Sequence, residues 1–186
     1  LLWTPGAGHA LRDGHLWRLA ESGEYFGYPV DRAEIERRLD GLADGLFTVF
    51  SSDHAPFRYD DPHGKKPGGK EVAFQYIPNG IPGLETRLPL LFSEGVQKGA
   101  ISLNRFVELT ATNPAKLYGL YPRKGTIAIG GDADIAIWDP EKAVTIANAG
   151  LHHAVDYTPY EGMQLRGWPV LTLSRGETVW DGAQPQ

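Results

Sequence analysis

From Asp31 onward the apolar positions fall into periods that predict their elements. Asp31 and Glu34 stand at capping-box spacing, Ile35, Leu39 and Leu42 recur at helical intervals, and Gly45 supplies a C-cap. Leu46–Phe50 is a short apolar, β-branched run, the pattern of a strand buried on both faces, and it ends in Ser51-Ser52-Asp53-His54. Helical spacing returns with Leu88, Leu91 and Phe92 and closes at Gly99. A second helix opens at Ser102, with Leu103, Phe106 and Val107 on one face. A third, very short helix takes Asn113 as N-cap, Pro114 as its first helical residue and Gly119 as C-cap. After about Tyr121 the period changes to two. Thr126–Ile129 and Asp134–Trp138 alternate around Gly130-Gly131-Asp132, and Val170–Leu173 with Thr178–Trp180 flank Arg175-Gly176, which predicts two hairpins.

A helix, a buried strand and a polar cluster at the strand's C-terminal end make an α/β pattern, and such ends are where α/β folds place their chemistry. Two stretches break the pattern. In residues 1–40, Gly6, Gly8, Gly14, Gly23 and Gly27 interrupt any period, leaving one helical turn at Leu16–Ala20. Arg58 to Gly83 is a long loop of charges, glycines and prolines, and connections beyond ~15 residues are usually lids or binding loops. Within it, Pro78-Asn79-Gly80-Ile81-Pro82-Gly83 specifies a rigid backbone path. That path suits either the presentation of main-chain groups to a ligand or a sharp turn before a helix.

Composition narrows the function classes. The chain has 186 residues, 41% hydrophobic and 22% charged, with a net charge of -5, enough for one or two globular domains with a core. It has no Cys, which excludes a disulfide framework and thiolate metal sites, and its mild acidity argues against a nucleic-acid partner. No apolar run approaches the ~20 residues of a membrane span. No basic n-region followed by an apolar stretch opens the chain, so the expectation is a cytoplasmic protein. The chain begins at Leu1 rather than Met, which suggests a piece of something longer.

Asp53 is the sharpest candidate. A carboxylate at the mouth of a buried strand can bind a divalent cation or act as general base, and it can equally cap the following turn. His54, its neighbour, points the other way at a strand end and reads as a structural group. Gly64, Gly69 and Lys70 have phosphate-loop spacing, but Glu71 stands where Ser or Thr should hold magnesium. The adjacent His152 and His153 diverge in any regular element and read as surface or packing residues.

Ser52-Asp53-His54-Ala55-Pro56-Phe57 and the run from Ile77 to Val96 resemble the dihydropyrimidinase and D-hydantoinase family, cyclic-amide hydrolases of the amidohydrolase superfamily. So do Ile101–Trp138, densest at Leu109–Lys116 and Lys124–Ile127, and Asp156–Gly162 with Gly167–Val170. The resemblance runs in register from Gly41 to Gly182. It implies an α/β fold: the C-terminal part of a metal-dependent (β/α)8 barrel beside a small β-sandwich domain. Residues 41–121 are then the last part of the barrel, 122–186 a β-rich segment of the sandwich with the C-terminal tail, and 1–40 an unassigned segment.

The resemblance also implies roles. Asp53 falls on the family's last barrel-strand aspartate, a ligand of a binuclear centre of two divalent ions, zinc, and a proton shuttle. Asn79 falls on the asparagine whose main chain contacts the cyclic substrate, a hydantoin or dihydropyrimidine opened to an N-carbamoyl amino acid. The other ligands, a His-x-His pair, a carboxylated lysine and two further histidines, come from earlier barrel strands. The histidines here are His9, His15, His54, His63, His152 and His153, with no His-x-His. A (β/α)8 barrel takes about 250 residues, so the chain reads as a C-terminal portion, inactive alone, and the resemblance implies that the whole enzyme is a homotetramer. Rival readings are an allantoinase or dihydroorotase and a non-catalytic dihydropyrimidinase-like scaffold.

Overall fold

A computed structural model describes residues 2–3, 24–25, 28–29, 40–52, 54–70 and 73–182. Its first elements are three two-residue strands, β1 (Leu2–Trp3), β2 (Glu24–Tyr25) and β3 (Tyr28–Pro29), with β2 and β3 paired antiparallel. The expected capping box at Asp31 and Glu34 lies outside the described residues. The helix predicted to follow it is described over residues 40–43, where Leu42 is buried, and it gives way to a turn at Asp44 and Gly45.

The strand expected over Leu46–Phe50 is corrected. β4 spans only Val49–Phe50 and pairs antiparallel with β1, Leu2 opposite Phe50 and Trp3 opposite Val49. Leu46 is 59% exposed, so the run is not buried on both faces. Burial on both faces needs a covering layer on each side. Among the described residues the segment meets a core through Phe47 and Phe50 alone, which join Leu42, Leu91, Phe92, Ile101, Phe106 and Leu109. The long loop is not structureless either: it contains β5 (Pro67–Lys70) and a 3-10 turn at Phe74–Tyr76.

Two helical runs follow. Arg87–Leu90 is α-helical and continues as a π-helix over Leu91–Gln97, closing before Gly99 as the pattern predicts. The second begins where expected, with the Ser102 hydroxyl accepting from the Arg105 N–H at 3.1 Å. Leu103–Val107 then runs through a π-helical stretch, Glu108–Thr112, into Asn113–Leu117. The separate third helix is therefore a correction. Asn113 is helical (φ -68, ψ -42) and is not an N-cap: its backbone N–H donates to the Glu108 carbonyl. Pro114 has no N–H for the ladder, and the wider π-helical turn preceding it accommodates that loss so the helix continues. The Asn113 amide reaches instead to the Thr48 carbonyl at 2.9 Å.

The β-rich tail is an antiparallel sheet in the order β6 (Ile135–Thr145), β7 (Gln164–Ser174), β8 (Glu177–Trp180). The hairpin at Arg175-Gly176 forms as predicted, both residues at positive φ (51 and 84), the geometry of a type I′ turn. The hairpin around Gly130 does not form. Thr126–Ile129 is irregular, with Ile127 and Ile129 exposed, and β6 pairs with β7 instead, Ile135 opposite Leu173. Helices and sheet meet through aromatic rings: Phe92 stacks on Trp138 (centroids 5.0 Å apart), and Phe106 packs edge-on against both. A second cluster, Leu90, Ile146, Tyr160 and Leu165, continues the core under the sheet. Among the described residues no helix is long and apolar enough to cross a membrane.

Candidate functional site

The chain leaving β4 is fastened before it reaches the candidate chemistry. The Arg87 guanidinium donates to the Phe50 carbonyl at 2.5 Å, tying the strand end to the start of the first helical run. Arg105 donates through Nε to the Leu42 carbonyl and through Nη2 to the Phe47 carbonyl, both at 2.6 Å. These guanidiniums and the Asn113 amide satisfy the carbonyls of an irregular segment that has few ladder partners.

Asp53 itself lies outside the described residues. Its flanks do not. His54 forms a parallel bridge with Ile81, and the Ala55 N–H donates to the Ile81 carbonyl at 3.2 Å. The His54 ring accepts at Nδ1 from the N–H groups of Gly83 (3.1 Å) and Leu84 (3.2 Å), which places its proton on Nε2. His54 is thus a structural group, as its position in the sequence suggested. Gly80 (φ +93) is indispensable here, because a Cβ on it would lie 2.3 Å from the Ala55 Cβ. The segment His54–Ala55 and the Pro-Asn-Gly loop therefore run side by side.

Asn79 is exposed, and among the described residues nothing bonds to its main-chain N–H or C=O. The carbonyls on either side of it are occupied. The Lys65 ammonium takes the Pro78 and Gly80 carbonyls, each at 2.5 Å. Lys65 went unnoticed in the sequence. It sits in a Pro- and Gly-rich loop, and no local spacing links it to residues 13 and 15 positions later. The loop that carries it is anchored in turn: the Asp156 carboxylate accepts from the N–H groups of Tyr59 (2.6 Å) and Asp60 (3.0 Å). Those two bonds hold the Asp156 carboxyl below the ordinary aspartate range. The phosphate-loop spacing leads nowhere: Lys70 ends β5 and starts no helix.

Beside His54 opens a cavity of about 410 Å³, lined by Glu85, His152, His153, Trp168 and Trp180 among others. His152 pairs with Glu85 at 2.8 Å and His153 with the Asn148 side chain at 2.7 Å, the packing roles expected of them. Burial lowers the His153 pKa, against a smaller opposing pull from the Glu85 carboxylate. Among the described residues no group of three or more His, Cys, Asp or Glu could hold a metal ion. The described residues by themselves therefore do not assemble a metal centre.

Comparison with known proteins follows the same residues. A model described as "Amidohydrolase family" matches residues 29–179. The D-hydantoinase of Ralstonia pickettii is 43% identical over 163 residues, 87% of this chain and 35% of its own length. The D-phenylhydantoinase of Escherichia coli O1:K1 / APEC is 46% identical over 147 residues, 79% of this chain and 31% of its own. A solved D-hydantoinase superposes with a TM-score of 0.78 at 37% identity, over 91% of this chain and 38% of that one. The crystal structure of dihydropyrimidinase from Brevibacillus agri NCHU1002 gives 0.76 at 40% identity, over 88% and 36%. The chain spans about a third of the length of these relatives.

Proposed function

The chain belongs to the amidohydrolase family, and from that premise we propose that the whole protein opens a cyclic amide, a hydantoin or a dihydropyrimidine, to an N-carbamoyl amino acid. One observation supports the reading: the bond from the Ala55 N–H to the Ile81 carbonyl draws the chain two residues after Asp53 against the loop of Asn79. Their matching stretches fall within the region shared with D-hydantoinase at 43% identity. In this reading residues 41–121 complete a (β/α)8 barrel, 122–186 contribute to a β-sandwich, and 1–40 stay unassigned.

The reaction needs a water oxygen bonded to the ring carbonyl carbon, the ring C–N bond broken, and a proton delivered to the departing nitrogen. Asp53 takes the proton from the attacking water and hands it to that nitrogen. The main chain of Asn79 holds the ring through its amide groups. Two divalent ions, zinc, with Asp53 as their last ligand and the rest outside this chain, supply a lowered water pKa and a polarised carbonyl when bound. The proposal extends to a cytoplasmic homotetramer.

Full-length protein incubated with hydantoin and with dihydrouracil, followed by NMR for the N-carbamoyl product, tests the activity. Metal analysis and light scattering test the two ions and the tetramer. Ring opening that chelation abolishes is expected. A fully metallated protein that opens neither ring overturns the reading in favour of a non-catalytic scaffold.

A further inference from the structure

We propose that Lys65 is the positioning residue of the substrate-facing loop, fixing the main chain of Asn79 by clamping the carbonyls on both sides of it. The inference rests on the reading of Asn79 as a substrate contact and assigns a part in it to a residue of the long loop. Two carbonyls separated by one residue, Pro78 and Gly80, converge on a single ammonium, each at 2.5 Å. Converging carbonyl dipoles repel one another, and a cation between them reverses that sign. The backbone path through Asn79 therefore depends on the charge of Lys65.

The clamp is built on a firm base. The Lys65 N–H donates to the Arg58 carbonyl at 2.8 Å, across a turn in which the Gly64 N–H donates to the Asp61 carbonyl at 2.9 Å. Behind it, Asp156 holds the amides of Tyr59 and Asp60. The ammonium also lies 5.7 Å from the centroid of the Phe57 ring. Lys65 is thus held at its backbone and along its side chain, while the exposed Asn79 keeps its own N–H and C=O unbonded among the described residues. Two of its donors lie on the Pro78 and Gly80 carbonyls, and through them the ammonium acts on the main chain of Asn79. Such a residue supports binding of substrate and transition state alike, so its loss raises KM and spares kcat.

The experiment uses the full-length protein with hydantoin and dihydrouracil, comparing Lys65→Met, Lys65→Arg and Gly80→Ala. Lys65→Met removes the donors at similar volume. Its KM should rise about 10- to 100-fold, the scale of hydrogen bonds from a charged group, with kcat within about threefold and bound metal unchanged. Hydrogen exchange of the Asn79 and Gly80 amides should quicken in the same variant. Lys65→Arg keeps the charge and two donors and should recover most of the lost KM. Gly80→Ala displaces the loop directly, whatever Lys65 does. If Gly80→Ala raises KM and Lys65→Met does not, the clamp is overturned and the Asn79 reading survives. If neither moves KM, the Asn79 reading fails and takes the clamp with it. Loss of bound metal or of the fold in Lys65→Met makes Lys65 a general structural residue and also overturns the proposal.

Discussion

Gly167 of β7 lies against the Cδ1–Cε1 edge of the Phe92 ring: a Cβ placed on Gly167 would come within 2.3 Å of both atoms. Its φ of +96 compounds the constraint. Phe92 stacks on Trp138 in turn, so this one contact sets the spacing between the first helical run and the sheet. Gly167→Ala combines backbone strain with overpacking of a buried aromatic and should cost about 2–5 kcal/mol. Urea denaturation of the full-length protein measures it. A loss under about 1 kcal/mol would mean that the interface shifts without penalty.

Arg105 should matter more than a surface arginine. Its side chain is 12% exposed and holds the Leu42 and Phe47 carbonyls, with Glu108 as a third partner at 3.0 Å. Arg105→Met keeps the packing of the stem and strands both carbonyls, a loss of about 2–4 kcal/mol at one to two per orphaned group. Glu108→Gln removes only the half-exposed charge pair, and stability should move by less than about 1 kcal/mol. Equal effects in the two variants would refute the carbonyl account.

Local pattern revealed what local chemistry decides. Ser102 caps its helix because its hydroxyl needs only the Arg105 N–H three residues on, and the Arg175-Gly176 hairpin closes on its own turn. The alternation at Asp134–Trp138 is a real strand from Ile135, but its partner is β7, 31 to 38 positions away, and short-range spacing points to the neighbouring Thr126–Ile129 instead. At Asn113-Pro114 the residues of a helix start sit inside a helix, because the π-helical turn before them absorbs the proline. The candidates Asp53 and Asn79 rest on resemblance more than on spacing. Lys65, Arg87 and Arg105 act through carbonyls far along the chain, and no periodicity encodes that.

Acid should release the anchor at Asp156. Its pKa is lowered by bonds from the amides of Asp60 and Tyr59, with Arg58 adding a smaller pull. Folding therefore favours the carboxylate. The anchorage is complete above the ordinary aspartate range and is lost as pH falls through the lowered value. Hydrogen exchange at Tyr59 and Asp60, corrected for intrinsic rates, should quicken as pH falls below the ordinary aspartate range. In Asp156→Asn the amides should exchange faster at neutral pH and show no such acid transition.

Asp53→Asn in the full-length protein separates a proton shuttle from a turn cap. Asn caps about as well as Asp, so the fold and its melting temperature should hold. Removing the proton acceptor should lower turnover by about 10²–10⁴-fold, with at least one metal ion retained by the remaining ligands. A variant that keeps most of its turnover would leave Asp53 a structural residue.

Two of the fastenings of the Arg58–Gly83 loop, at Tyr59 and Lys65, divide it into unequal territories for change in length. Between Tyr59, held by Asp156, and Lys65, held on Pro78 and Gly80, an added residue displaces one fastening or the other. Past Lys66, through β5, an insertion lengthens the chain between fixed points without moving either. Variation in this loop, whether by evolution or by grafting, is therefore admissible on its far side and costly on its near side. A stretch that looks like a single variable connection contains a segment as length-constrained as a core strand.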